Sequence, residues 1–303
     1  PTTSTVADTP RSPVVSLACL GDLVEDVIVQ LGGPVNVASD TPARITRRRG
    51  GSAANTAIAA ASIGHRSRFI GQVGDDAIGT ALVAEMRSDG VDVDPVRRSG
   101  STGTIVALVD AAGERSMLTD RRACVDLTDP DPSWLDDVTV LHVPLYSLVS
   151  GAIAQTASTV IGWAHERSIA VSIDVSSTAV MLELGVDRVR DHLARLRPDV
   201  LLANRDEAAV LDLGEAWPGS VTVVKRGPDP ALVYVPGGTC TEVAAIEVSD
   251  VDDTTGAGDA FAAGFLTHSP AWRADPVGAC RSGHRVAAAL LAARSGVTSR
   301  ASW

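Results

Sequence analysis

The chain has 303 residues, of which 45% are hydrophobic and 21% charged, with a net charge of −11 and a mean hydropathy of +0.15. That balance belongs to a globular chain long enough to bury a large core, and it excludes a disordered or fibrous one. No apolar run approaches the ~18 residues a membrane helix needs, and the acidic balance speaks against a general nucleic-acid binder.

The length allows two domains or one large α/β domain. Residues 1–13 are rich in Thr, Ser and Pro, have no apolar centre, and read as a flexible tail rather than a signal peptide. Val14–Leu20 is an apolar run closed by Gly21-Asp22, the pattern of a buried strand. Val27–Leu31 and Ala43–Arg48 are shorter, more charged strands around the Gly32-Gly33-Pro34 turn. Gly50-Gly51 precedes an Ala-rich helix over Ala53–Ile63, with Gly64 as its stop. A strand over Arg68–Val73 and a helix over Asp76–Ser88 follow. Thr104–Val109 and Arg115–Thr119 flank a hairpin turn.

From about residue 138 strand and helix alternate. Strands are expected at Val138–Val143, Ala170–Val175, Val200–Ala203 and Val221–Val224, with helices at Ala152–Arg167, Val186–Leu196 and Asp206–Leu213 between them. A meander over Ala231–Val235 and Thr241–Val248 precedes two helices, Gly258–Thr267 and Pro276–Arg294. Such alternation predicts a mostly parallel sheet with helices on both faces. The charged strands near 27–48 and 104–119 do not fit inside that sheet and are placed in an excursion covering a site. Cys19, Cys124, Cys240 and Cys280 have no metal-ligand spacing and are expected to be reduced thiols in a cytoplasmic protein.

The chemistry concentrates in Asp253-Thr254-Thr255-Gly256-Ala257-Gly258-Asp259-Ala260-Phe261. The glycines let backbone approach a ligand, and free N–H groups at a helix start cradle an anion such as phosphate. From spacing alone Asp259 reads either as a base beside that cradle or as a helix-start carboxylate favoured by the dipole. No Lys-Ser/Thr follows the glycines, so this is not a Walker A loop, and the protein-kinase motifs are absent. A second feature is Gly50-Gly51-Ser52-Ala53-Ala54-Asn55, which reads as a ligand-approach turn with Asn55 facing hydroxyls, or as a plain turn.

Together with Gly71-Gln72-Val73-Gly74-Asp75-Asp76, Gly79 and Gly264, these segments resemble the signatures of the ribokinase-like (pfkB) carbohydrate kinase family, in order and spacing over roughly residues 14–300. The resemblance implies one domain over 14–303, a three-layer α/β/α fold with a mostly parallel central sheet, and a small β lid at about 24–49 and 101–121. It implies transfer of the ATP γ-phosphate to an alcohol, with Asp259 as catalytic base and Gly256, Ala257 and Gly258 as anion hole. Asp26, Gly50, Gly51 and Asn55 would bind sugar. Asn204, Lys225, Gly227 and His284 would line the nucleotide, Glu207 would hold Mg²⁺ through water, and Asp253 with the Ser295-Gly296 region would hold a monovalent cation such as K⁺. Read alone, Glu207, Lys225 and His284 are equally surface residues.

Departures from the family bear on the substrate. No acid stands on Val143-Pro144-Leu145-Tyr146, and Ser52 replaces the ribokinase lysine, which puts ribose in doubt. Pro228-Asp229-Pro230 replaces a second glycine after Gly227. Arg121 or Arg122 could meet a 2-keto-3-deoxy sugar acid; a nucleoside is the other acceptor considered, and a non-catalytic sugar-binding regulator the rival outside enzymes. The lid strands are apolar on both faces, which predicts a homodimer through the lid, the alternative being a monomer whose lid is shielded by Arg47, Arg48 and Arg49.

Overall fold

The structure is a computed structural model that describes residues 16–110, 112–251, 253–268 and 272–298. The expected tail at 1–13 lies outside the described residues. The chain runs β1 (Ser16–Leu20), β2 (Val24–Leu31), β3 (Ala43–Gly50), α1 (Ser52–Ser62), β4 (Arg66–Ile70), β5 (Gln72–Val73), α2 (Ala77–Ser88), β6 (Arg97–Arg98), β7 (Thr104–Val109) and β8 (Arg115–Asp120). It continues through β9 (Val140–Pro144), α3 (Tyr146–Val149), α4 (Ala152–Glu166), β10 (Ala170–Asp174), α5 (Thr178–Leu184), α6 (Val186–Leu196), β11 (Val200–Asn204) and α7 (Arg205–Val210). Strands β12 (Val221–Arg226), β13 (Asp229–Tyr234) and β14 (Cys240–Val243) precede α8 (Ala257–Leu266) and α9 (Pro276–Thr298).

Eight strands form the central sheet in the order β14-β13-β12-β11-β10-β9-β1-β4. The run from β12 to β4 is parallel; β13 and β14 are antiparallel additions at one edge. Strand alternation splits the core between the two faces. Leu17 and Cys19 of β1 pack with Phe261 and Phe265 of α8 on one side, while Ala18 and Leu20 pack with Ile153 and Val160 of α4 on the other. With few aromatics, both faces are filled mainly by Ala, Val, Leu and Ile.

The two charged segments form a second sheet, in the order β3-β2-β7-β8. Strand β2 leaves the end of β1 through Gly21–Leu23, and β3 returns directly into α1. Gly51, at that re-entry, has φ +104°, and a Cβ there would stand 2.1 Å from the Asp22 carbonyl, so only glycine fits. The inner strands β2 and β7 are mostly half-buried, whereas β8 and most of β3 are exposed, Ile45, Met117 and Leu118 among them.

Three differences from the expected elements have local causes. The strand expected over Arg68–Val73 breaks at Gly71: the Ile70 carbonyl is the last to serve β1, accepting from Gly21 N–H, and Gln72–Val73 turns away to pair with β6. The strand expected to reach Val248 ends at Val243, because Ala245–Val248 leaves the sheet to wall a cavity. The short helices α3 and α5 stand at the carboxyl ends of β9 and β10, where no apolar periodicity announces them.

Candidate active site

Asn204, Glu207, Lys225 and Gly227 lie at the carboxyl ends of β11 and β12, and Gly256–Asp259 at the start of α8, the position where open α/β sheets bind ligands. A cavity of about 1020 Å³ opens there. Asp174, Asn204, Glu207, Lys225, Gly258 and Asp259 line its polar part. Ile246, Val248, Val251 and Leu291 line the remainder, next to the edge-to-face Phe261–His284 pair, whose ring centroids are 5.1 Å apart. That wall has the apolar, ring-sized character of a site for a planar base.

Asp259 stands in the first turn of α8 and points at α1. Its Oδ1 accepts from Ser52 Oγ at 2.6 Å and its Oδ2 from Asn55 Nδ2 at 2.9 Å. Burial raises its pKa above the ordinary carboxylate value against these two hydrogen bonds, with Asp174 adding to the rise and Lys225 opposing it. Gly256 caps the helix at φ +77°, the left-handed region. The Ala257 N–H, expected in the anion hole, instead donates to the Thr254 carbonyl at 3.1 Å. Gly258 and Asp259 are therefore the first-turn N–H donors on the cavity side. A Cβ on Gly258 would stand 3.4 Å from Lys225 Nζ, which puts that ammonium directly over the helix start.

Lys225, the only lysine in the sequence, is not a surface charge: its Nζ donates to Asp174 Oδ2 at 2.5 Å, and both side chains are nearly buried. Burial works against its charge, but Asp174, Glu207 and Asp259 hold it protonated. Asn204 ends β11 and forms a capping box with Glu207: Asn204 Oδ1 accepts from Glu207 N–H at 2.9 Å, and Glu207 Oε2 accepts from Asn204 N–H at 2.7 Å. Burial and then the neighbouring Asp174 push the Glu207 carboxyl up to about 7, against Lys225. Two hard carboxylates beside an open cavity suit a Mg²⁺ ion that takes its remaining ligands from water and phosphate. His284 faces the cavity with its pKa lowered by burial, against a hydrogen bond with the Val243 backbone. Gly227 turns β12 into β13 at φ +63° along the same wall, with the divergent Pro228 beside it.

The expected sugar residues gather outside this cavity. Asp26 on β2 lies against Gly50, where a Cβ would be 2.1 Å from Asp26 Oδ1, so the diglycine leaves room for the carboxylate. Burial raises the Asp26 pKa against Arg48 and Arg49. Asn55 is tied on both sides: its Oδ1 accepts from Arg49 Nη1 at 2.7 Å, and its Nδ2 donates to Asp259 at 2.9 Å.

Asp253 is surrounded by cations of the chain itself. Its carboxylate takes hydrogen bonds from Arg48 Nη1 at 3.0 Å and Arg115 Nη2 at 2.9 Å, both from the lid, and from Thr255, and it lies 3.6 Å from Arg294 Nη1. Burial would raise its pKa, but these donors hold it well below the usual range. Three guanidinium groups thus stand around one carboxylate. Arg48 and Arg49 do more than cover a solvent face, since one reaches Asp253 and the other Asn55. Arg121 is likewise committed, in a bidentate pair with Asp22 at 2.6 and 2.8 Å, and Arg122 pairs with Asp120. Sequence reasoning missed Asp174 and Arg49. The only mark of Asp174 is an acid at the end of an apolar strand.

The family model for pfkB family carbohydrate kinases matches residues 15–302. An ATP-dependent ribose-1-phosphate kinase of Halopiger xanaduensis is 34% identical over 227 residues, 72% of each chain. The fold is that of adenosine kinase from Sinorhizobium meliloti (TM-score 0.77, 23% identity, 91% of this chain and 94% of that one). It is also that of a fructokinase with bound ATP from Xylella fastidiosa (TM-score 0.74, 23% identity, 91% of both chains). With the lid, the three layers and the two motifs in register, the chain belongs to the pfkB family and is an ATP-dependent carbohydrate kinase.

Proposed function

We propose that the protein transfers the γ-phosphate of ATP to a primary hydroxyl of a small sugar held between Asp26 and Asp259, under the lid. The observation that carries this reading is the buried, ionisable Asp259 at the mouth of the α8 cradle, with Lys225 above it. Asp259 orients the hydroxyl and takes its proton as the new O–P bond forms and the β–γ bridge breaks, releasing ADP. The N–H groups of Gly258 and Asp259 and the Lys225 ammonium face the charge on the transferred group. The Ile246–Leu291 wall receives the adenine, and Asn204 and Gly227 border the phosphates and ribose. Glu207 and Asp174 would hold Mg²⁺, which supplies charge neutralisation of the β- and γ-phosphates when bound. Asp26, whose ion pair with Arg48 Nε is long at 3.9 Å, is the group that grips sugar hydroxyls.

Among acceptors, the relative named for ribose 1-phosphate makes that sugar phosphate the first candidate. Sugar acids lose support because Arg121 and Arg122 are both paired. The intact base and cradle speak against a non-catalytic binder. ADP release measured over a panel of ribose 1-phosphate, ribose, fructose, 5-dehydro-2-deoxygluconate and adenosine tests the reading. Release with at least one sugar, abolished in Asp259→Asn, is the expected result. No release with any of them, from folded protein that binds ATP, would sink it.

A further inference from the structure

Asn55 sits between two groups whose hydrogen-bonding capacities are opposite. A guanidinium can only donate and a carboxylate can only accept, so only one orientation of the amide satisfies both. The Arg49 Nη1 donor takes Oδ1 at 2.7 Å, and Nδ2 is thereby turned to Asp259 Oδ2 at 2.9 Å. Arg49 stands on β3 of the lid, immediately before the diglycine, while Asn55 stands one turn into α1, its N–H bonded to the Gly51 carbonyl. The Arg49 side chain is only 15% exposed; its Nε, buried without a hydrogen-bond partner, lies in an ion pair 3.4 Å from Glu85 Oε1 of α2. Removing so much of a guanidinium from water is costly unless its donors are used.

We propose that Arg49 is a positioning residue for phosphoryl transfer: through Asn55 it fixes the orientation of the Asp259 carboxylate and links the root of the lid to the base. The inference rests on the reading of Asp259 as base. Without Arg49 the Asn55 amide is free to rotate and present Oδ1 to the carboxylate, setting oxygen against oxygen. Asp259 would then be held by Ser52 alone, and its Oδ2 would lose the donor that aims it. The other charged groups facing the pair stay in place: Asp174 of β10 and Lys225 of β12 beside Asp259, Asp26 of β2 and Glu85 of α2 beside Arg49.

Two measurements test this. The chain has three asparagines, Asn36, Asn55 and Asn204, so selective ¹⁵N-asparagine labelling resolves the Asn55 side-chain amide, assigned by its loss in Asn55→Ser. One Asn55 amide proton should be shifted downfield by the carboxylate in the parent and in Arg49→Lys, and should return to the free-amide position in Arg49→Met. An unchanged signal in Arg49→Met would overturn the proposal, with no substrate needed. In turnover, with the panel sugar giving the fastest ADP release, Arg49→Met should lower kcat about tenfold or more, as expected for a hydrogen bond involving a charged group, and leave the ATP KM unmoved. Arg49→Lys should recover most of that loss. On an Asn55→Ala background, Arg49→Met should cost less than about twofold, because the intermediary is already gone. Equal losses in both backgrounds would show that Arg49 acts by another route. Near-parent turnover in Asp259→Asn would instead refute the base, while the amide signal would still report on the Arg49–Asn55 coupling.

Discussion

Asp259→Asn separates the chemistry of this site from its architecture. The carboxylate accepts one hydrogen bond on each oxygen, from Ser52 Oγ at 2.6 Å and Asn55 Nδ2 at 2.9 Å. An asparagine can keep both contacts: its Oδ1 accepts from the Asn55 amide, and its amide donates to the Ser52 hydroxyl, which can turn to accept. The geometry should survive while the proton acceptor disappears. A general base contributes about 10²–10⁴ in rate, equivalent to roughly 3–5 kcal/mol of barrier. Stability should move the other way. Burial raises the Asp259 pKa, so ionising this carboxyl costs more in the folded state than in the unfolded chain. Removing that charge should leave Tm equal to or above the parent's. The assay is coupled ADP release at saturating ATP, with calorimetric ATP affinity and a thermal melt on the same preparation. A kcat within tenfold of the parent, with ATP affinity intact, would refute the assignment of the base.

Lys225→Met should leave Asp174 buried and unpaired, which for such pairs costs about 3–5 kcal/mol; urea unfolding should show that loss together with a raised ATP KM. Gly256→Val should lower kcat more than it raises the ATP KM. The cause is strain at φ +77° rather than a clash, since the nearest atoms to a Cβ are 3.8 Å away. With the Glu207 carboxyl pushed up to about 7 from 4.5, the folded state binds more protons between those values. Stability relative to Glu207→Gln should therefore fall as pH rises through that window, as melts of the two proteins across it would show. Ile45 and Leu118 are 59% and 57% exposed on the lid, and a homodimer covering them should scatter light at about twice 31.2 kDa and revert to a single mass in Leu118→Asp.

The layers were legible because strand and helix announce themselves by different periods. The helix Val186–Leu196, with a polar face opposite Val189, Leu193 and Leu196, matches its expected limits. The turn into α8 was legible because Gly256 and Gly258 with an acid behind them mark a helix start. What stayed hidden was pairing across the fold. Lys225 reads as a strand-end charge until Asp174, 51 residues earlier, is brought to 2.5 Å from it. Asp253 has no partner legible in the sequence until the lid delivers Arg48 and Arg115 to it. Arg49 reads as one of three surface arginines until the backbone turns at Gly50-Gly51 and folds its guanidinium back onto α1. Each of these depends on which strand ends become neighbours, which local pattern does not encode.

The capping box at the start of α7 also bears on which ion can be used. One Glu207 oxygen accepts from the Asn204 N–H, which leaves Oε1 as the oxygen without that partner. In the proposed Mg²⁺ site this would favour contact through a single oxygen, directly or through water, which suits a small ion with a strict octahedron. Ca²⁺, which favours bidentate carboxylates at longer range, would compete with the box for Oε2. The two hydrogen bonds that end β11 and begin a helix would thus bias the proposed site toward the smaller ion.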